Sequence, residues 1–150
     1  MIDLGPEDKI NRLTFHKQPN SINTAYRPMY RIVEILLTIK YCSIRKSLTI
    51  LKLQLVGWIS HDPIAAGVVQ KLMDRQSIFQ FMHIDPAVNL AVDYALGSGL
   101  IELTSTGRLK LTPVGDTLLT SIEAAKVMID FIARIRAINL QIKDLKNDQL

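Results

Sequence analysis

The chain has 150 residues, 48% of them hydrophobic and 21% charged, with a net charge of +4 and a pI of 9.3. This balance suits one folded domain with extensions and is too apolar for a disordered chain. The single cysteine, Cys42, excludes an intrachain disulfide, and no apolar stretch reaches the ~20 residues of a membrane-spanning helix.

Cys42 lies among apolar residues, so a buried, unreactive thiol in a reducing cytoplasm is expected. The N-terminal MIDLGPEDKINRL lacks the basic segment and apolar run of a secretory signal. Residues 1–26 are polar, with Leu13, Phe15 and Ile22 as their few anchors, and read as an N-terminal arm.

Arg27-Pro28 opens the first clear helix, because proline is tolerated where a helix has no N–H partner to lose. Met29, Ile32, Val33 and Leu36 then recur at the spacing of one buried face, and the helix runs to about Cys42. SIRKS reads as a polar turn. In LTILKLQLVGWIS, Leu51, Leu53 and Leu55 alternate as in a strand, while Leu48, Leu51, Leu55 and Trp58 form a helical stripe. Its length and its place after another helix favour a helix.

His61-Asp62-Pro63 starts a third helix, PIAAGVVQKLMDR, with Asp62 as its N-cap. SIFQFMHI alternates and reads as a short strand. Asp85-Pro86 repeats the cap-plus-proline signal and starts a helix to Leu96, which Gly97-Ser98-Gly99 stops. Leu100–Thr104 and Arg108–Thr112 read as two strands joined at Ser105-Thr106-Gly107, and Thr112-Pro113 starts the next helix. The remainder is helical to about Lys146, with a break near Ser121.

This order is that of a mainly α fold with a small β-wing: a winged helix-turn-helix domain over 27–121, between the N-terminal arm and a C-terminal helical extension, 122–150. In the extension, Met128, Phe131, Ile135, Ile138, Ile142 and Leu145 form a heptad-like seam. Two uses are open for it: packing on the protein's own helices, or binding another chain, including a second copy.

Enzyme signatures are missing. There is no Gly-rich phosphate loop, GxSxG, CxxC or histidine pair at helical spacing. His61 and Asp62 have no further ligand at metal spacing, and Asp93, the best lone carboxylate, has the helical phase of an exposed edge. A non-enzymatic protein without cofactor, metal or catalytic residues is expected.

A winged helix reads DNA with the helix before its wing, which needs cations for phosphate and polar groups for bases. Here that helix is PAVNLAVDYAL, with no Lys or Arg and only Asp93 charged. Its Val88, Ala91, Val92 and Tyr94 are candidates for a protein interface instead. Positive charge gathers elsewhere: residues 27–52 hold Arg27, Arg31, Lys40, Arg45, Lys46 and Lys52 against Glu34, a net of +5. With Arg108 and Lys110 of the wing, these are the candidates for sequence-independent DNA contact. A solvated basic face is the competing reading.

The polar arm, RPMYRIVEILLTIKYCSIRKSLTILKLQLVGWIS, the segment IDPAVNLAVDYALGSGLIELTSTGRLKLTPVGDTLL and the terminal helix together resemble the middle components of bacterial ABC-three-component systems. They also resemble the related small winged-helix subunit of Lamassu anti-phage defence. The resemblance spans roughly residues 20–135. It implies a non-enzymatic adaptor that binds an SMC-like ABC ATPase and links it to an effector such as a nuclease. It carries no catalytic residues to this chain. The alternative is a small dimeric winged-helix transcription regulator.

Overall fold

The computed structural model describes residues 27–72 and 82–142. Helix α1 (Pro28–Cys42) leads to a two-residue strand β1 (Ser47–Leu48), then α2 (Ile50–His61) and α3 (Ala65–Leu72). Helix α4 (Pro86–Gly97) precedes a hairpin of β2 (Ile101–Leu103) and β3 (Leu109–Leu111). Helices α5 (Pro113–Ala124) and α6 (Ile129–Ile142) follow. The fold is helix-rich with one small antiparallel sheet, ordered β1-β3-β2.

Local chemistry sets most helix starts. Thr49, Asp85 and Thr112 each accept a backbone N–H from the first turn of their helix, and Pro86 and Pro113 follow two of these caps. Asp62 behaves otherwise than its sequence suggests. It closes the C-terminal end of α2, and its carboxylate takes the Ile64 N–H at 2.9 Å in the turn before α3. The chain reverses out of α4 through Gly99, whose φ of +70° is left-handed. The break in the C-terminal helical region falls at Ala125–Met128, four residues beyond the position expected near Ser121.

Strand β1 has no counterpart in the sequence reading. Ser47 and Leu48 pair with Lys110 and Leu109, far along the chain, and add a third strand to the expected hairpin. The turn before it, Ile44-Arg45-Lys46-Ser47, is closed by reciprocal 3.2 Å bonds between Ile44 and Ser47. Arg45 and Lys46 both have positive φ, 53° and 66°. That conformation suits Asn-Gly and strains long side chains such as those of Arg and Lys. Of the strand expected at SIFQFMHI, residues 77–81 lie outside the described residues, and 82–84 are not strand.

Helix α1 is the centre of the fold. It packs against α2, α4, α5 and α6 and contributes Ile32, Ile35, Leu36, Leu37, Ile39 and Cys42 to the core. The hairpin is sealed to this core by Ile101 and Leu109, each 2% exposed. Gly115 lies where the hairpin meets α5, and a Cβ there would run into the Leu100 carbonyl oxygen, so this close crossing requires glycine.

Candidate partner and nucleic-acid surfaces

The cations of residues 27–52 do not form one face. Arg31 is 9% exposed and gives Nη2 to Asp85 Oδ2 at 2.9 Å and Nη1 to Glu34 Oε2 at 3.4 Å. Lys52 is 4% exposed. Helical phase turns both side chains into the protein, which corrects their reading as a solvent-facing DNA contact. Lys40 is half-buried and paired with Glu123 at 2.9 Å, and the Tyr41 hydroxyl donates to the same carboxylate oxygen. That hydrogen bond holds the Lys40 pKa above its ordinary value. Burial alone would push Glu123 up, but its bonds from Lys40 and Tyr41 prevail and lower it.

In the hairpin, Arg108 gives Nε–H to Ser47 Oγ at 2.8 Å and Nη2–H to the Ser47 carbonyl at 3.1 Å. Lys110 stands 3.9 Å from Glu102 across the two strands. Arg27 is exposed at the N-terminal end of α1, and Arg45 and Lys46 are exposed in the turn beyond its C-terminal end. A groove of about 540 Å³ runs between α1, the hairpin and α5, lined by Lys40, Lys46 and Lys110 together with Glu102 and Asp116. Its mixed charge gives it no strong preference for an anion.

The expected protein-binding residues also divide. Val88, Ala91 and Val92 are 4%, 2% and 4% exposed and belong to the core. Their i, i+3, i+4 spacing, continued by Ala95, is the face that α4 packs against α1. Of the four candidates on this helix, Tyr94 alone is exposed, at 52%. Leu90, also 52% exposed, was not singled out from the sequence, although it precedes Tyr94 by one helical turn. With Asn89 and Asp93 they make an outward face without a cation.

The C-terminal seam is turned inward. Met128, Phe131, Ile135, Ile138 and Ile142 are all buried, and α6 packs against α1 and α2. Its heptad spacing thus serves the protein's own helices, and these residues are not a surface for another chain. Leu145 lies outside the described residues.

A partly buried polar cluster, invisible as a unit in the sequence, joins α1, α2 and α4. Gln54 of α2 donates to the Asp85 carbonyl at 3.1 Å and to Asn89 Oδ1 at 2.9 Å, and accepts the Asp85 N–H at 3.0 Å. Asp85 caps α4 through Oδ1 and holds Arg31 through Oδ2. Glu34, 5% exposed, receives Arg31 and faces His61 Nε2 at 3.0 Å, while its Oε1 has no partner among the described residues. A cavity of about 20 Å³ adjoins it, sufficient for one water. The cluster fixes the approach of α4 to α1 and α2, since each buried polar group is costly unless its neighbours stay in place.

Among the described residues no group of three His, Cys, Asp or Glu side chains could hold a metal ion, and no helix is long and apolar enough to cross a membrane. Comparison with family models, curated proteins and solved structures returns no match.

Proposed function

We propose that the chain is a winged-helix module working as a non-enzymatic adaptor. In this reading it docks an SMC-like ABC ATPase in a bacterial anti-phage or anti-plasmid complex, bridges it to an effector such as a nuclease, and touches DNA without reading bases. The winged-helix assignment is supported by the order helix, strand, helix, then helix and hairpin, with the sheet ordered β1-β3-β2. The chain departs from a compact helix-turn-helix in the long connection between α2 and α4, which contains α3. The adaptor role draws on the resemblance carried by the quoted segments.

One observation carries docking over reading: α4, the helix that would enter the major groove in a winged-helix reading, presents Asn89, Leu90, Asp93 and Tyr94. Phosphate repels the aspartate, and nothing on this face replaces the counterions that a DNA-binding helix displaces. Two half-exposed apolar side chains one turn apart suit an apolar protein surface.

The test is to purify the tagged chain from its native host, with and without Leu90→Lys and Tyr94→Lys. A stoichiometric SMC-like ATPase that co-elutes with the native chain and is lost from the folded variants supports the adaptor. Co-elution untouched by both substitutions removes the α4 face from the interface.

The transcription-regulator reading is favoured by one feature, the exposure of Asn89 on the same face. Its Oδ1 already accepts one hydrogen bond from Gln54, which leaves one lone pair and the NH2 group to meet a base. A footprint on one specific duplex, weakened by Asn89→Ala, would establish that reading instead.

A further inference from the structure

A pocket of about 180 Å³ opens where the last turn of α2 meets the N-terminal end of α4, lined by Gly57, Trp58, His61, Asp62, His83 and Asp85. His61 and Asp85 also belong to the polar cluster, whereas Trp58, Asp62 and His83 have no part in it. Its walls carry two carboxylates and a half-buried indole, and among the described residues no Lys or Arg lines it.

Negative charge gathers around this pocket from several sources. Oδ1 of Asp62 accepts the Ile64 N–H, and its Oδ2 has no partner among the described residues. Asp85 shares the Arg31 guanidinium with Glu34, so two carboxylates stand against one cation there. The Glu34 side chain is only 6% exposed and keeps its unpartnered Oε1, and the small cavity beside it shares Gly57 and His61 with the pocket. The carbonyl end of α2 adds the negative end of its helix dipole. Arg134 of α6 gives Nη1 to the Ser60 carbonyl and does not line the pocket. No three of His61, Asp62, His83 and Asp85 form a group that could hold a metal ion. Acceptors spread around an aromatic wall suit an extended, planar cation instead. A guanidinium has five N–H donors in one plane and stacks on an indole face, whereas an ammonium is a compact point charge.

We propose that this pocket takes an arginine side chain of the protein that docks on α4, with Asp62 as its main counter-charge and Trp58 as its stacking wall. The volume fits one long side chain and falls below the ~300 Å³ at which pockets for free small molecules begin. The surface around it continues in the same character. Ile84, 54% exposed, lies between two lining residues, and Asp85, Asn89 and Asp93 follow one side of α4 at intervals of four, beside Leu90 and Tyr94. A partner segment that covers this surface is therefore basic as well as apolar. The inference rests on the docking reading of the proposed function and gives that partner its chemistry.

Trp58 is the single tryptophan of the chain, so its fluorescence reports on the pocket directly. The experiment titrates the full chain with acetyl-arginine amide at matched ionic strength. Acetyl-citrulline amide, its neutral isostere, and acetyl-lysine amide are the comparison ligands. The arginine derivative should change the Trp58 emission with a Kd of about 1–10 mM, as expected of a single side chain. The citrulline derivative should bind about tenfold more weakly, the value of one charge-assisted hydrogen bond. Asp62→Asn keeps the oxygen that accepts the Ile64 N–H, so it should fold with an unchanged Tm and bind arginine about tenfold more weakly. Asp116→Asn, in the groove beside the hairpin, removes the same charge and should change the affinity little.

Emission that ignores the arginine derivative, an equal response to the citrulline derivative, or equal weakening by Asp62→Asn and Asp116→Asn would overturn the pocket. A lysine derivative that binds as tightly as the arginine one would retain a cation pocket and overturn arginine as its occupant. No partner is present in these titrations, so failure to recover an ATPase bears on the docking face only. An ATPase that is lost with Leu90→Lys, beside an arginine titration that fails, would overturn the pocket and keep the docking face.

Discussion

Ile135→Ala tests whether α6 belongs to the fold or to an interface. Ile135 is 0% exposed on the inward side of α6, and Cys42 of α1 approaches its carbonyl at 3.5 Å. The substitution deletes three buried carbons, worth ~0.8 kcal/mol each on transfer to water, or ~2.4 kcal/mol. A residual void of roughly 50 Å³ adds ~1 kcal/mol at ~24 cal/mol per Å³. The expected loss of ~3.5 kcal/mol is a large part of the ~5–15 kcal/mol that holds a domain together. With a urea m-value of ~1.5 kcal/mol/M the unfolding midpoint should fall by ~2.3 M. Leu140→Ala, on the same helix at 64% exposure, should cost less than ~0.5 kcal/mol. An Ile135→Ala protein with an unchanged midpoint that has lost a dimer or a larger assembly by size-exclusion chromatography would refute this argument and return the seam to an interface between chains.

Two further outcomes follow from the polar cluster and the thiol. Asp85→Asn keeps the side-chain oxygen that caps α4 but weakens the bond to Arg31. With Arg31 still beside Glu34 and the Asp85 side chain 35% exposed, the expected loss is only ~1–2 kcal/mol. Asp85→Ala should cost ~1 kcal/mol more, the value of an N-cap, in the same urea titration. Equal midpoints for the two variants would mean that the cap contributes nothing.

Burial pushes the Cys42 thiol from 9.0 to about 11, against a smaller opposing effect of Lys52. Between those values the unfolded chain releases the thiol proton first, so stability falls as pH rises through this window, by on the order of 2–3 kcal/mol. Lys52 works in the opposite direction. Its folded pKa is lowered, so the cost of its buried charge is present at lower pH and fades as pH rises toward 10.5. Comparison with Cys42→Ala isolates the thiol, and identical pH dependence for both proteins would show that Cys42 ionises as readily folded as unfolded.

Helix starts were legible in the sequence where a cap or turn residue precedes proline, because capping is local: Arg27-Pro28, Asp85-Pro86 and Thr112-Pro113 carry their signals within three residues, whereas the Thr49 cap of α2 was not read. The hairpin was legible for the same reason, through Gly107 between two alternating stretches. Strand β1 was not, because two residues have no pattern of their own and become a strand only when Lys110 and Leu109 arrive beside them. Asp62 was misplaced because Asp-Pro marks both a helix start and the turn between two helices.

The site residues divide along the same line. That α4 has no Lys or Arg is a property of the chain, and it alone turned the reading away from DNA recognition by that helix. Which of its apolar residues face outward depends on where α1 lies, and so Leu90 and Tyr94 are exposed while Val88, Ala91 and Val92 are buried. The heptad of α6 is equally a property of the chain, but the same stripe can seat on a neighbour within the molecule or outside it, and packing on α1 and α2 decides between them. Charge could be counted from the composition, whereas its availability could not. Arg31 and Lys52 add to the same net charge as Arg45 and Lys46, yet tertiary packing takes the first two out of water and leaves the other two in it.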